Sequence, residues 1–374
     1  MAGAELIGKE EIKEVMDVLK TGVFARYAFD NERQGIWKVR DFEKAFARYS
    51  GTKYALGVTS GSAALKIALT ALDVGPGDEV ICPAFTFMAT YEAVLEVGAI
   101  PVMADIDDTL NLDPDDIPNK LTPRTKAVIP VHMCGAPARI DKIMKMAKKH
   151  KLLVLEDTAQ ALGASFKGKK LGSIGHIGIF SFDHYKTITT GEGGFVGTDD
   201  EDVFGRLRLL RNQGRENRGS FVHPGIGQNF RMTDLQAAIG LVQLRKMPEI
   251  VARKRALHRV YQDRLSGIVD LLGPVPGSTH IPFRTVAVFR RYADDAARFL
   301  AARGVEPRSC FFPLHRQPCF ADIASDKRHD DRLFPQANRL WNRALCLPTF
   351  AGMTEEQIEI VCSAVEDFVR GWTP

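Results

Sequence analysis

From about residue 52 the chain alternates short β-branched or apolar runs with stretches of helical periodicity, and this alternation constrains its fold more than any other feature. Runs of that length suit strands buried on both faces, and the helical stretches between them suit the crossovers that parallel strands need. Strands are expected at 54–58, 79–82, 101–104, 127–131 and 152–155, with two more at 180–182 and 194–198. Helices are expected at 62–72, 86–97 and 140–151, then over two long charged segments, 201–211 and 233–264. Basic residues at the end of the 140–151 stretch suit the negative end of a helix dipole. The expected fold class is α/β, with a large doubly wound domain built on a mostly parallel seven-stranded sheet.

The pattern changes within residues 245–275, and beyond it Pro274, Pro276, Gly277 and Pro282 punctuate a turn-rich segment. The rest of the chain mixes a helix with alternating or Pro-terminated segments, as in a small α+β domain. A chain of 374 residues has room for both units, since single cores stop growing near ~250 to 300 residues. Residues 1–250 are therefore expected to form an N-terminal arm and the large domain, and 251–374 the small C-terminal domain.

Charge and cysteine usage narrow the function. The 50 basic and 46 acidic residues are interspersed, with no basic run of the kind that binds nucleic acid or a membrane surface, so a small anionic ligand is the better match. The six cysteines are scattered, without Cys-x-x-Cys pairs or the histidine spacing of a zinc site, and no metal is expected. They read as reduced thiols of a cytoplasmic protein, which fits the lack of a leader pattern or of an apolar run near the ~20 residues of a membrane helix.

Two segments carry the chemistry. Val154-Leu155-Glu156-Asp157-Thr158-Ala159-Gln160 puts Asp157 at the C-terminal end of an apolar strand, where open α/β sheets place their ligands. About thirty residues later, Phe180-Ser181-Phe182-Asp183-His184-Tyr185-Lys186 leads into Thr187-Ile188-Thr189-Thr190-Gly191-Glu192-Gly193-Gly194, so Lys186 follows a second apolar run and precedes a Gly-rich turn. A buried carboxylate and an amine so placed suit pyridoxal phosphate. The carboxylate keeps a ring nitrogen protonated, and an amine of lowered pKa forms an imine and then shuttles a proton. A third segment, Thr59-Ser60-Gly61-Ser62-Ala63-Ala64-Leu65, joins a strand to a helix start, where free N–H groups and the dipole bind phosphate. Pro83-Ala84-Phe85-Thr86-Phe87 offers an aromatic to stack on the ring, with Phe87 the better placed. Each piece has an ordinary role when taken alone: an aspartate that caps a helix, a surface lysine, a connecting turn, two core phenylalanines. Their combination in this order points to the cofactor.

In these segments, and in His132-Met133-Cys134-Gly135, Gly227-Gln228-Asn229-Phe230-Arg231 and Phe312-Pro313-Leu314-His315, the chain resembles the DegT/StrS-type sugar aminotransferases, which have the aspartate-aminotransferase (fold type I) architecture. The resemblance implies a transaminase that moves an amino group from glutamate or glutamine to a keto-sugar, with pyridoxamine phosphate as the intermediate form of the cofactor. It further implies that Lys186 is the Schiff-base lysine, that Asp157 pairs with the ring nitrogen, and that Gln160 meets the 3-hydroxyl. Gly61, Ser62 and Ser181, with Ala63 in the same turn, would hold the phosphate. Asn229 would reach it from a second subunit, which implies a homodimer with shared sites, and His315 would lie near the substrate. Relatives with histidine in place of the lysine deoxygenate a keto-sugar. Counting back from Thr189-Thr190-Gly191-Glu192-Gly193-Gly194 puts Lys186, not His184, in register, which favours transamination over dehydration; a cofactor-binding regulator ranks last, since nothing resembles a DNA-binding helix-turn-helix or a basic patch.

One region departs from the common pattern. Phe24 to Asp30 and Trp37 to Arg40 form an aromatic and basic stretch that resembles the subgroup making 8-amino-3,8-dideoxy-octulosonate, a sugar acid. Arg26, Arg33, Lys38 and Arg40 are candidates to bind a carboxylate or phosphate of the substrate. The alternative is a solvated basic loop with Trp37 packed beneath it.

Overall fold

The structure is a computed structural model that describes residues 6–216, 221–273, 275–320 and 329–371; Pro274 lies outside them. Among the described residues nine strands precede residue 200: β1 (Tyr54–Val58), β2 (Glu79–Pro83), β3 (Ile100–Ala104), β4 (Thr125–Val128), β5 (Leu153–Asp157), the short β6 (Ser165–Phe166) and β7 (Lys169–Lys170), β8 (Ile177–Ser181) and β9 (Gly194–Thr198). Seven of them form one sheet in the order β1-β9-β8-β5-β4-β2-β3. Parallel pairing joins β3, β2, β4, β5 and β8, whereas β9 runs antiparallel to both β8 and β1. The sheet is therefore mostly parallel, as expected from the alternation of strands and helices.

Its strands are buried on both sides, and their alternate residues serve two cores. In β2, Val80 and Cys82 pack with residues of the Gly61–Ala71 helix on one face, and Ile81 packs with Ile140, Ile143 and Ala147 of the Ile140–His150 helix on the other. β5 repeats the division, Leu155 on the first face and Val154 on the second. Beside β8 and β9 a third cluster is aromatic: Phe46 of the Lys38–Ser50 helix lies 4.8 Å from Phe180 and 4.5 Å from Phe195, ring centre to ring centre.

The Asp234–Leu265 helix, 32 residues long, starts on a capping box between Thr233 and Gln236 and continues past Pro248. After it come β10 (Asp270–Leu271), β11 (Ser278–Thr279), β12 (Thr285–Val288), β13 (Arg308–Ser309) and β14 (Ala344–Leu347). β10, β12, β14 and β13 make a second, antiparallel sheet, covered by the Ala293–Ala301 and Glu355–Arg370 helices. β11 instead crosses back to pair with β6 of the larger unit. No helix among the described residues is long and apolar enough to cross a membrane.

Because β1, β8, β5 and β2 run in one sense, their C-terminal ends open at one edge of the large sheet. The loops after them supply one wall of a cleft, and the second sheet supplies the other.

Candidate active site

That cleft has a volume of about 460 Å³. Asp157, the last residue of β5, lies at its floor, 5% exposed. One carboxylate oxygen accepts the Ala159 N–H at 3.1 Å, and the other accepts the Thr90 hydroxyl at 3.2 Å. Thr90 is itself 3.2 Å from the Thr86 hydroxyl, so a short polar chain leads from the loop after β2 to the carboxylate. Burial pushes the Asp157 carboxyl above its usual range, and the Ala159 N–H and the nearby Lys186 charge oppose that shift. A carboxylate held in such a place is stabilised by a cation brought to it.

Lys186 enters the same cleft from the turn after β8, whose backbone is fixed by Lys186 N–H to Asp183 C=O at 3.0 Å and Thr190 N–H to Phe182 C=O at 3.0 Å. Its Nζ lies 5.4 Å from the centre of the Phe283 ring. Loss of solvent lowers its proton affinity; Asp157 and Asp183 pull the other way, while the charge of Arg284 adds to the lowering. His184 does not line the cleft and packs edge-on against Tyr185. The register read from the Gly-rich turn therefore places the lysine, not the histidine, in the cleft.

At the opposite end the Gly61–Ala71 helix points its N-terminus into the cleft. Ser60 is the N-cap, and its hydroxyl takes the Ala63 N–H at 3.1 Å. The Ala63 N–H is thus occupied, and the N–H groups of Gly61 and Ser62, which have no intrahelical acceptor, are the donors left for an anion. Gly61 has to be glycine here, because a Cβ on it would stand 2.8 Å from Cβ of Ser181, the residue that ends β8. Gln160 lines the cleft with its Oε1 engaged by the Cys134 N–H at 3.1 Å, which leaves its NH₂ as the free end. Phe87 is 56% exposed and faces the cleft beside Phe311, 5.9 Å away. A carboxylate, an amine, an anion cradle and an aromatic face around one cavity fit pyridoxal phosphate.

Beneath the cleft Glu156 is fully buried and accepts N–H groups from Gly172, Ile174 and Gly175 at 3.0, 2.7 and 2.6 Å. Burial opposes its charge, yet His132, 3.0 Å away, and these N–H groups hold its carboxyl below the usual range. His132 Nδ1 accepts the Ala138 N–H at 3.1 Å, so Nε2 carries the proton and donates it to Glu156.

Other expected residues lie elsewhere in the chain. Asn229 is exposed on the segment bridged to Asn212 and does not line this chain's cleft. Arg26 donates to Glu43, and Arg33 is buried in an ion pair with Asp234 at 2.5 Å. Lys38 pairs with Glu14, and Arg40 lies 3.6 Å over the Trp37 ring, with Arg33 also against that ring at 4.0 Å. None of these four lines the cleft of its own chain: Arg26, Arg33 and Lys38 meet carboxylates of the same chain, and Arg40 is exposed over the Trp37 ring. His315 hydrogen-bonds Asp331 at 3.0 Å and Asn338 at 3.2 Å, stacks on Phe334, and also lies outside the lining. Thr90, Arg284, Arg308 and Phe311 line the cleft without having been singled out from the sequence. Their signal is weak because they sit in no Gly-rich turn, and the last three come from the segment after residue 275.

Residues 5–366 match the model of the DegT/DnrJ/EryC1/StrS aminotransferase family. The chain is 40% identical over 338 residues to a GDP-perosamine synthase of Caulobacter vibrioides, covering 87% of this chain and 88% of that one. It is 38% identical over 336 residues to a UDP-N-acetyl-3-dehydro-alpha-D-glucosamine 3-aminotransferase of Acidithiobacillus ferrooxidans, covering 89% of each. Among solved structures it resembles DesV of S. venezuelae in complex with a ketimine intermediate, at a TM-score of 0.89 and 32% identity, over 96% of this chain and 94% of that one. The chain belongs to the DegT/DnrJ/EryC1/StrS aminotransferase family, and with it to the pyridoxal-phosphate-dependent enzymes of fold type I.

Proposed function

We propose that this enzyme moves an amino group from glutamate or glutamine to the carbonyl carbon of a keto-sugar, free or nucleotide-linked. The observation that carries the reading is the meeting of Lys186, Asp157 and the Gly61–Ser62 helix start around one cavity. The sugar is argued from two relatives, one named a GDP-perosamine synthase and the other a 3-aminotransferase of UDP-N-acetyl-3-dehydro-alpha-D-glucosamine.

When bound, pyridoxal phosphate supplies an aldehyde that carries the amino group and a ring that accepts an electron pair. Asp157, its carboxylate fixed by Thr90 and the Ala159 N–H, would keep the ring nitrogen protonated by opposing its charge. Lys186 Nζ, its proton affinity lowered by burial, would move a proton from the donor Cα to the cofactor carbon that carries the amino group, and in the second half-reaction from that carbon to the sugar carbon. Gly61, Ser62 and Ser181 would hold the phosphate, the Gln160 NH₂ would meet the ring hydroxyl, and Phe87 would stack on the ring. Residues 1–250 carry these groups, and 251–374 supply Phe283, Arg284, Arg308 and Phe311 to the opposite wall.

Asn229 completes the phosphate site from a second subunit, so the working form is a homodimer. Supporting this, Phe221, Val222 and Ile226 on the same segment are 88%, 74% and 93% exposed in the single chain. Free thiols at all six cysteines support a cytoplasmic setting. The sugar-acid reading draws no support from Arg26, Arg33, Lys38 or Arg40, each of which has a partner inside the chain.

The purified protein is expected to be yellow, with a visible band that Lys186→Ala abolishes and that the amino donor bleaches as 2-oxoglutarate appears. Re-addition of a keto-sugar restores the band. A colourless protein that takes up no pyridoxal phosphate sinks the proposal.

A further inference from the structure

A second cavity, of about 500 Å³, lies beside the cleft and shares four lining residues with it: Tyr185, Phe283, Arg284 and Arg308. Its far wall is largely apolar, including Val305, Leu347, Phe350 and Met353. The two spaces thus meet at a waist that carries two guanidinium groups. Arg284 immediately precedes β12 and is half-buried, its guanidinium 5.4 and 5.6 Å from the Phe283 and Phe311 rings. Arg308, in β13, is exposed and lies 5.0 Å from the Tyr185 ring.

Elsewhere in the chain, buried arginines have carboxylate partners: Arg33 pairs with Asp234, and Arg211 with Glu43. Among the described residues Arg284 and Arg308 form no ion pair, and Glu306, which lines the second cavity, pairs with neither. The half-buried Arg284 guanidinium lies against the Phe283 and Phe311 rings and beside the Cys346 sulfur, with no carboxylate paired to it among the described residues. One half-buried and one exposed guanidinium at the same waist are planar forks suited to the paired oxygens of a carboxylate or a diphosphate.

We propose that Arg284 and Arg308 form a clamp for an oxyanion of a reactant, which holds one part of that reactant over Lys186 and directs the rest into the second cavity. The clamp rests on the aminotransferase reading of the cleft. Two sources share this chemistry: a carboxylate of the amino donor and the diphosphate of a nucleotide-linked sugar.

The test is calorimetry on the cofactor-loaded protein, with inorganic pyrophosphate and glutarate as probes, for the native chain and for Arg284→Gln and Arg308→Gln. At least one probe is expected to bind the native protein, and each substitution to weaken it about tenfold or more, as loss of a charge-assisted hydrogen bond requires. Lysine at either position should retain part of the affinity. Unchanged melting temperature and visible band in the variants establish that the fold and Lys186 are intact. Native protein that binds neither probe, or variants that bind as tightly as native, overturn the clamp. The half-reactions then name the source: a raised half-saturating glutamate concentration assigns the donor carboxylate, and a raised value for nucleotide-linked keto-sugar assigns the diphosphate. Arginine-dependent probe binding in a protein that aminates no keto-sugar refutes the proposed function and leaves the clamp standing, whereas amination unaffected by either substitution refutes the clamp alone.

Discussion

Lys186 holds its proton less tightly than a lysine in water because the cleft strips its ammonium of solvent, and Asp157 and Asp183 return only part of what is lost. The consequence for the cofactor-free chain comes from proton linkage. Between the lowered native value and the ordinary 10.5, the unfolded chain binds more protons than the native one, so stability rises with pH. The contribution is complete above the unfolded value and is lost as pH falls through the native value. Lys186→Met should therefore raise the melting temperature of cofactor-free protein at neutral pH, with the gain shrinking as pH approaches 10.5; thermal unfolding across that range measures it. A gain that is the same at every pH assigns the effect to packing instead of charge. Lys186 was legible in the sequence because the Gly-rich turn after it fixes the register. Thr90 was not, since its bond to Asp157 spans 67 residues and a threonine near a helix start has many ordinary uses.

The Gly61–Ala71 helix shows what one element contributes to the site and how narrow its tolerance is. Its start lies so close to the end of β8 that a methyl at Gly61 meets Ser181 at 2.8 Å, and one of the two must move away from the phosphate cradle. Gly61→Ala is expected to leave the melting temperature nearly unchanged, because alanine suits a helix better than glycine. Cofactor affinity should fall about tenfold or more, the scale of one charge-assisted hydrogen bond, as read by titrating cofactor-free protein. An affinity equal to native would mean that Ser181 yields without disturbing the cradle. Strands were readable where burial on both faces left short, mostly apolar runs: 54–58 and 194–198 were expected and found as β1 and β9. The expected run 127–131 is cut at Val128, since Pro130 has no N–H to continue a ladder. The run expected at 180–182 is in fact β8, Ile177–Ser181, which begins three residues earlier, with Gly178 packed against the Gly172 backbone. The two-residue strands β10, β11 and β13 carry no periodicity at all, so the wall holding Arg284 and Arg308 could not be read in advance.

At the scale of the molecule, the single chain leaves two things unaccounted for: an exposed apolar segment at Phe221, Val222 and Ile226, and an asparagine that the family resemblance puts at the phosphate but that lies outside its own cleft. The proposed two-fold partner would resolve both at once, because an isologous contact would bury the segment on each copy and carry each Asn229 to the other copy's site. Replacing Phe221 and Ile226 together by aspartate should then give a monomer by sedimentation, with weakened cofactor binding. The sharper consequence concerns mixed dimers. Lys186→Ala protein lacks the amine, and Asn229→Ala protein is expected to hold the cofactor weakly, so each alone has little activity. If Asn229 acts across the interface, a hybrid of the two has one doubly damaged site and one that combines an intact Lys186 with an intact Asn229, and mixing after mild dissociation restores turnover. If Asn229 acts within its own chain, every site of the hybrid retains one lesion and mixing restores nothing. Recovery that depends on subunit exchange, and that is absent when the partners are mixed without dissociation, places the active site between two copies of this chain.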